Sequence, residues 1–283
     1  MNDIHAHAGG KCFGVSGLYD SSISDYFSRN KSVDKAVFFA QPLPYEFLGF
    51  YRRDYPPIDF SAKNDEIGDE CIDYDRAFFG VFVDVRDYHA KTEVARCVKL
   101  YDPKLVKVHF EINHVNPRVL NDYGLIGVLR DFNLPVLLHP FRELTSELSN
   151  VFLTSQDVNF IVAHLGFLRK DFLDAVSVCD NVYLDTSGIT HPNFSKLCLQ
   201  GLSVDLNNKL ISKDEYNILR LIVDSPCKVI NYVSHKVGFK KLVFGSDEAW
   251  SDLASQYRII SSCGINECDK SDIFVNNFNK LIK

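Results

Sequence analysis

The feature that most constrains the fold of this chain is a series of short apolar runs, rich in Val, Ile and Phe, that alternate with helical patterns. Such alternation is typical of βα units built around a parallel sheet. Eight runs of this kind predict the eight strands that close a (β/α)8 barrel. The predicted strands are DIHAH (3–7), KAVFFA (35–40), FFGVFVD (78–84), LVKVHF (105–110), PVLLHP (135–140), NFIVAHL (159–165), NVYLDTS (181–187) and KLVFGSD (241–247).

The length of the chain is typical of one such barrel, so we expect a single α/β domain of the TIM-barrel type over residues 1–283. Two connections are longer than a barrel needs, at about 41–77 and 188–240, and the second should carry extra helices. Long loops at the C-terminal ends of barrel strands usually form the substrate side of the site. The last segment, DIFVNNFNKLIK (272–283), is amphipathic and predicts a closing helix in the outer ring.

Composition narrows the classes of partner. A formal net charge of -6 disfavours a protein that binds nucleic acid, because such proteins carry a basic face. The sequence has neither an apolar run of membrane-spanning length nor a basic and then apolar start, which predicts a cytoplasmic protein without a membrane partner. The eight cysteines form no CxxC pair and are expected to be reduced thiols. A small-molecule substrate is the remaining expectation, with homo-oligomer formation left open.

The first predicted strand carries two histidines two residues apart. Strand alternation would place His5 and His7 on one face, with Ile4 and Ala6 on the other. Two imidazoles that converge in this way can share one metal ion.

Further candidate ligands occur where other predicted strands end. His139 ends the fifth strand, His164 the sixth and Asp247 the eighth, while Lys107 and His109 share a face of the fourth. The C-terminal ends of barrel strands meet at one rim, where barrel enzymes assemble their catalytic groups. Imidazole and carboxylate ligands suit zinc, manganese, iron or nickel. These residues therefore predict a site for a first-row divalent metal.

The chain resembles the amidohydrolase superfamily, specifically its amidohydrolase-related group of metal-dependent barrels. DIHAH resembles the first-strand DxHxH of that group, LPVLLHP its fifth-strand histidine and IVAHLG its sixth-strand HxG. VYLDTSG and LVFGSD resemble the motifs of the seventh and eighth strands. The sequence departs from the group where SDEAW replaces SDxP and where HFEIN lacks a proline, and both departures bear on substrate selection more than on metal binding.

The resemblance implies a ligand set and leaves the number of metal ions open. The implied metal ligands are His5, His7, His139 and Asp247. His164 is implied as a further ligand or as a catalytic acid or base. In binuclear members a carboxylated fourth-strand lysine bridges two metals, so Lys107, His164 and His109 are candidates for a second metal or for contact with substrate. One ion, with zinc as the expected metal, is favoured, and Lys107 is then an unmodified amine.

Hydrolysis is the reaction that these residues favour. A metal held by imidazoles and a carboxylate acidifies water and polarises a carbonyl. Asp247 would accept the proton, and His164 would stabilise the oxyanion or share in proton transfer. We expect a small carboxylate-bearing amide, ester or lactone, because Arg52 and Arg53 in the first long loop can bind an anion. Tyr45 in that loop and His191 after the seventh strand are further candidates for substrate contact.

Two alternatives remain open from the sequence. The same residues support the non-oxidative decarboxylation or hydration of an aromatic or unsaturated acid. A metal-binding barrel without catalytic activity is the second alternative.

Overall fold

A computed structural model describes residues 1–9, 11–14, 17–41, 56–110, 117–140 and 146–283. Within these residues, eight parallel strands pair in chain order in one sheet. They are β1 (Asn2–Ala8), β2 (Lys35–Ala40), β3 (Ala77–Val83), β4 (Leu105–His109), β5 (Val136–His139), β6 (Phe160–Val162), β7 (Val182–Asp185) and β8 (Leu242–Val243). Each strand lies on one of the predicted apolar runs, and the fold class, an α/β barrel of the (β/α)8 TIM type, is confirmed.

The helices that precede β8 lie between the strands and pack on the outside of the sheet, and three more helices follow β8. They are α1 (Ile23–Arg29), α2 (Ser61–Ile72), α3 (Ala90–Tyr101), α4 (Val119–Asp122), α5 (Leu125–Asp131), α6 (Ser146–Thr154), α7 (Lys170–Val178), α8 (Phe194–Asn207), α9 (Lys213–Arg220), α10 (Pro226–Val237), α11 (Leu253–Ser262), α12 (Glu267–Ser271) and α13 (Asn277–Leu281). The connection 188–240 thus contains three helices, α8 to α10. Among the described helices, none is long and apolar enough to cross a membrane.

Backbone hydrogen bonds between β1 and the segment after β8 close the sheet into a ring. The Ile4 N–H donates to the Phe244 carbonyl at 3.0 Å, the Asp247 N–H donates to the His5 carbonyl at 2.7 Å, and the His7 N–H donates to the Glu248 carbonyl at 2.7 Å. The last two bonds place Asp247 directly beside the two histidines of β1. Closure of the barrel therefore brings the first candidate ligands in the sequence, His5 and His7, next to the last one, Asp247.

A bulge in β1 changes which residues face the barrel interior. Asp3 pairs with Ala36 and Ala6 pairs with Phe38, so β1 has one residue more than β2 over this stretch. As a result Ile4 packs in the apolar cluster inside the barrel, whereas Ala6 packs outside against the helices. The expectation that Ile4 and Ala6 share a face is wrong, because the extra residue breaks the alternation.

The final helix covers the N-terminal mouth of the barrel. The strands contribute an inner apolar cluster of Ile4, Val37, Phe39, Leu105, Leu137, Ile161, Ala163, Tyr183 and Val243. Phe278, Leu281 and Ile282 complete it, and the Asn277 side-chain amide donates to the Leu242 carbonyl at 2.6 Å. The expectation that this segment lies in the outer ring is therefore wrong for α13. The helix packs across the barrel mouth instead, because the apolar side chains at the strand starts would otherwise be exposed to water.

The expectation that every cysteine is a reduced thiol is also wrong. Cys227, at the start of α10, and Cys263, at the end of α11, form a disulfide with a Cα–Cα distance of 4.9 Å. These residues are 36 positions apart, and only the packing of the two helices brings them together. Spacing in the sequence could not reveal this pair.

We predict that Phe278→Ala lowers the free energy of unfolding by about 3–5 kcal/mol, because it empties a packed position at the bottom of the barrel. Phe278 is 1% exposed, whereas Phe132, after α5, is 40% exposed and provides the control Phe132→Ala. Urea unfolding of both variants measures the difference. Equal losses in the two variants would contradict the role assigned to α13.

Candidate active site

Three candidate ligands converge at the C-terminal rim. His5 and His7 come from β1, and Asp247 follows β8. Asp247 Oδ1 lies 3.4 Å from Nε2 of each histidine, and the ligand atoms of these three residues all lie within 4.8 Å of one another. The structure thus brings together three of the four residues proposed as metal ligands.

The spacing of these atoms fits a small divalent cation. In a tetrahedral site with metal–ligand bonds of about 2.0–2.1 Å, neighbouring ligand atoms lie about 3.3–3.4 Å apart. The Nδ1–H of His7 donates to the Ala40 carbonyl at 3.2 Å, and the Nδ1–H of His5 donates to Asp185 Oδ2 at 2.8 Å. Both Nε2 atoms therefore carry lone pairs, which is the state that a metal ligand requires.

A buried carboxylate at the end of β7 orders the histidines. Asp185 Oδ2 accepts the bond from His5, while Oδ1 accepts from the Ser187 hydroxyl at 2.5 Å and from the His164 backbone N–H at 2.8 Å. Burial alone would raise the pKa of Asp185, but His5 and these hydrogen bonds lower it to about 2. The group is thus held as a carboxylate.

The tautomers of two further histidines follow from Asp185. Because the Ser187 hydroxyl donates to Asp185, it accepts a bond from the Nδ1–H of His164 at 2.9 Å. His164 Nε2 is then an acceptor, and the Nδ1–H of His139 donates to it at 3.0 Å. His139 therefore keeps a lone pair on its own Nε2. His139 lies outside the close group of three, and its role as a metal ligand stays a prediction.

Lys107 lies at the centre of these groups. Its Nζ is 2.5 Å from His5 Nε2 and 5.8 Å from the centroid of the Phe39 ring. Burial lowers the pKa of Lys107 to about 8, and the opposite effect of Asp247 and Asp185 limits the change. Lys107 therefore approaches the same Nε2 lone pair of His5 that a metal ion in the group of His5, His7 and Asp247 would use.

The carboxyl of Asp247 is ionised. Burial would raise its pKa, but the adjacent His5, His7 and His164 hold it well below its usual range. An ionised carboxylate at this position suits both a metal ligand and a proton acceptor.

Two further candidate histidines, His109 and His191, line the same cavity. The rings of His109 and His139 stack with a centroid distance of 3.7 Å, and burial holds the pKa of His109 well below its ordinary value. His191 also lines the cavity, at its outer part after β7. Arg52, Arg53 and Tyr45 lie outside the described residues, so their expected contact with substrate stays a prediction.

The cavity above the candidate ligands has a volume of about 160 Å³ and one apolar wall. Phe167, Phe194, Leu197 and Trp250 form that wall. Sequence reasoning missed all four, and no local pattern distinguishes them from ordinary core residues. It also assigned no role to Asp185, although Asp185 lies near the end of the predicted strand 181–187 and could have been found by the rule that strand ends meet at one rim.

His164 begins a short left-handed turn. In five consecutive residues, His164 to Leu168, φ lies between 50° and 59°. This conformation costs a non-glycine residue about 1–2 kcal/mol, and only Gly166 in the turn is a glycine. Tertiary packing must therefore impose the turn. It places the rings of His164 and Phe167 side by side, with centroids 5.3 Å apart.

The barrel agrees with the comparisons to known proteins. The family model for amidohydrolases (Amidohydro_2) matches residues 27–277. The chain therefore belongs to the amidohydrolase family, which is a family of enzymes. The search of curated proteins returned no match.

Solved structures of the same fold include both hydrolases and decarboxylases. A Pseudomonas putida protein assigned as a 2-pyrone-4,6-dicarboxylic acid hydrolase is 14% identical, with a TM-score of 0.63 over 99% of this chain and 96% of that chain. A Rhizobium 2,6-dihydroxybenzoate decarboxylase is 12% identical, with a TM-score of 0.59 over 99% and 98%. A Novosphingobium aromaticivorans 5-carboxyvanillate decarboxylase complexed with manganese is 14% identical, with a TM-score of 0.56 over 88% and 76%. At such identities the likeness shows the fold alone.

The burial of His164 predicts a specific pH dependence of stability in chelator-treated protein. Burial, and then the neighbouring His139, lower the pKa of His164 from 6.5 to about 3. Between these values the unfolded chain binds a proton that the folded protein does not bind, so this histidine makes stability fall as pH falls, by up to about 1.4 kcal/mol per pH unit. We expect His164→Gln to flatten the decrease in unfolding free energy between pH 6.5 and 5.

Chemical denaturation at several pH values measures this slope. The matched control is His235→Gln, since His235 is exposed on α10. The same slope in wild type and His164→Gln would show that His164 is not held neutral.

Proposed function

We propose that this protein is a metal-dependent hydrolase of a small amide, ester or lactone that carries a carboxylate. The observation that carries this proposal is the group formed by His5 Nε2, His7 Nε2 and Asp247 Oδ1, with the 3.4 Å spacing described above. All three atoms are acceptors, and a cation is the partner that satisfies them together.

One divalent ion, with zinc as the proposed metal, would be held by His5, His7 and Asp247. His139 is supported as a fourth ligand because its Nδ1–H donates to His164, which makes its Nε2 an acceptor. When bound, the ion polarises a carbonyl and lowers the pKa of water. Lys107 is proposed to be an unmodified amine, because its ammonium group neutralises part of the charge of Asp247 and Asp185.

The hydrogen bonds of the site support proton abstraction from water. His5, His7 and His139 each direct an Nδ1–H away from the ligand group, so that each Nε2 is an acceptor. Asp247 is ionised and can accept a proton from the attacking water and later pass it to the leaving group. His164 Nε2 is an acceptor, because the Nδ1–H of this ring donates to Ser187, so His164 would assist by sharing in proton transfer.

Substrate charge would be recognised by cations near the cavity. Lys107 lines the cavity and is positively charged at neutral pH, because its pKa of about 8 lies above that range. Arg52 and Arg53, with Tyr45, are proposed to contact the carboxylate from the first long connection, and His191 from the other side. The partner is accordingly a small anion.

The second candidate is a non-oxidative decarboxylase of an aromatic acid. The aromatic part of the cavity wall, Phe167, Phe194 and Trp250, favours this alternative because it suits a flat ring.

Metal binding provides the first test. Chelator-treated protein titrated with Zn²⁺ or Mn²⁺ in a calorimeter should bind close to one ion per chain and gain thermal stability. His7→Ala and Asp247→Ala should abolish tight binding, and Asp185→Asn should weaken it by about 10- to 100-fold, since Asp185 orients His5. His235→Ala is the control. Wild-type affinity in His7→Ala and Asp247→Ala would place the metal elsewhere.

The reaction itself provides the second test. Metal-loaded enzyme should hydrolyse members of a panel of carboxylate-bearing lactones, esters and amides, and Asp247→Asn should lower kcat by about 10²- to 10⁴-fold through loss of the proton acceptor. Release of carbon dioxide from aromatic acids is measured in parallel. Decarboxylation without any hydrolysis on the panel would replace the hydrolase proposal with the alternative.

A further inference from the structure

A buried ion pair lies directly behind the left-handed turn that carries His164 and Phe167. Arg169 follows the turn and is 1% exposed, and its Nε donates to Asp205 Oδ1 at 2.5 Å. Asp205, on α8, is fully buried, and its other oxygen accepts from the Lys170 backbone N–H at 2.8 Å. One carboxylate therefore binds both the side chain and the backbone at the exit of the turn.

The turn also packs against the backbone of α8. Gly201 lies one helical turn before Asp205, and a Cβ at Gly201 would lie 2.9 Å from Arg169 Cδ and 3.1 Å from the Phe167 carbonyl oxygen. The contact with Arg169 Cδ is shorter than real Cβ contacts, and the contact with the Phe167 carbonyl is tighter than most, so a side chain at position 201 would push the turn away from α8.

The same helix forms part of the cavity wall. Phe194 and Leu197, in the first turn of α8, line the cavity together with Phe167 and His164. The spacing between α8 and the left-handed turn therefore sets the width of the cavity on this side. Neither Arg169 nor Asp205 reaches the cavity, so they act only through the residues that they hold.

We propose that Arg169 and Asp205 are positioning residues, which set the His164 imidazole and the Phe167 ring in the cavity by holding the left-handed turn against α8. A purely structural ion pair would stabilise the fold without controlling the hydrogen bonds of His164. The kinetic part of this proposal rests on the proposed hydrolase function, while the placement of His164 does not.

Imidazole NMR of the chelator-treated protein tests the placement without any substrate. The chain has nine histidines, so ¹⁵N-histidine labelling gives a small set of ring signals, and His164→Gln assigns one of them. Gly201→Ala should shift the ring signals of His164 and His139, because the added methyl group displaces the turn. Gly127→Ala is the matched control, since it is also a glycine in a helix, α5, and a Cβ there meets nothing within 4 Å.

Asp205→Asn provides the second variant, and Trp250 the second readout. Trp250 is the only tryptophan of the chain and lines the same cavity as Phe167, so its fluorescence should change in Gly201→Ala and Asp205→Asn but not in Gly127→Ala. Once a substrate has been identified, kcat/KM should fall by about 10- to 100-fold in folded Gly201→Ala and Asp205→Asn, as expected for a misplaced catalytic group.

Several outcomes would overturn the proposal. Unchanged His164 signals and fluorescence in folded Gly201→Ala would do so, and so would equal shifts in Gly127→Ala. Failure of both Gly201→Ala and Asp205→Asn to fold would also reject the proposal, because the ion pair of Arg169 and Asp205 would then be required for folding and not specifically for the position of His164. Shifted His164 signals without any hydrolysis would leave the positioning role intact and reject only the hydrolase.

Discussion

The carboxylate of Asp185 accepts hydrogen bonds from the His5 imidazole, the Ser187 hydroxyl and the His164 backbone N–H. It is fully buried, and a buried carboxylate without such donors would be strongly unfavourable. The His5 imidazole donates its Nδ1–H to Asp185, so its Nε2 becomes an acceptor. The Ser187 hydroxyl also donates to Asp185 and therefore accepts the Nδ1–H of His164, which makes His164 Nε2 an acceptor as well. A single negative charge thereby determines which atoms of His5, His164 and, through His164, His139 face the cavity.

The barrel supplies the geometry that this arrangement needs. Parallel strands bring their C-terminal ends to one rim, the bulge in β1 turns His5 and His7 toward the cavity, and closure against the segment after β8 places Asp247 beside them. Gly245 permits the close packing, because a Cβ there would lie 3.0 Å from the Cβ of His5 and 3.3 Å from Asp185 Oδ2. Substitution at this position would separate the very groups that the site requires.

The strands and several of the rim residues could be predicted from the sequence for a physical reason. Apolar periodicity reflects burial on both faces of a parallel strand, and polar residues that end such strands share a rim. The same reasoning could not predict that Trp250 and Phe194 line the cavity, since their positions depend on the conformation of the long connections. It placed Ile4 on the wrong face of β1, because the pattern of alternation does not reveal a bulge. It also missed the disulfide of Cys227, because the partner cysteine is determined by helix packing.

The sequence by itself determined the number and order of the strands and the chemical types of side chain at their ends. Only the tertiary structure decided which atoms of those side chains meet. His5 and Asp185 are 180 residues apart, and the left-handed turn at His164 depends on Asp205 from a different element. Tautomers, ligand spacing and cavity shape follow from such long-range contacts, and these exist only after the barrel has closed.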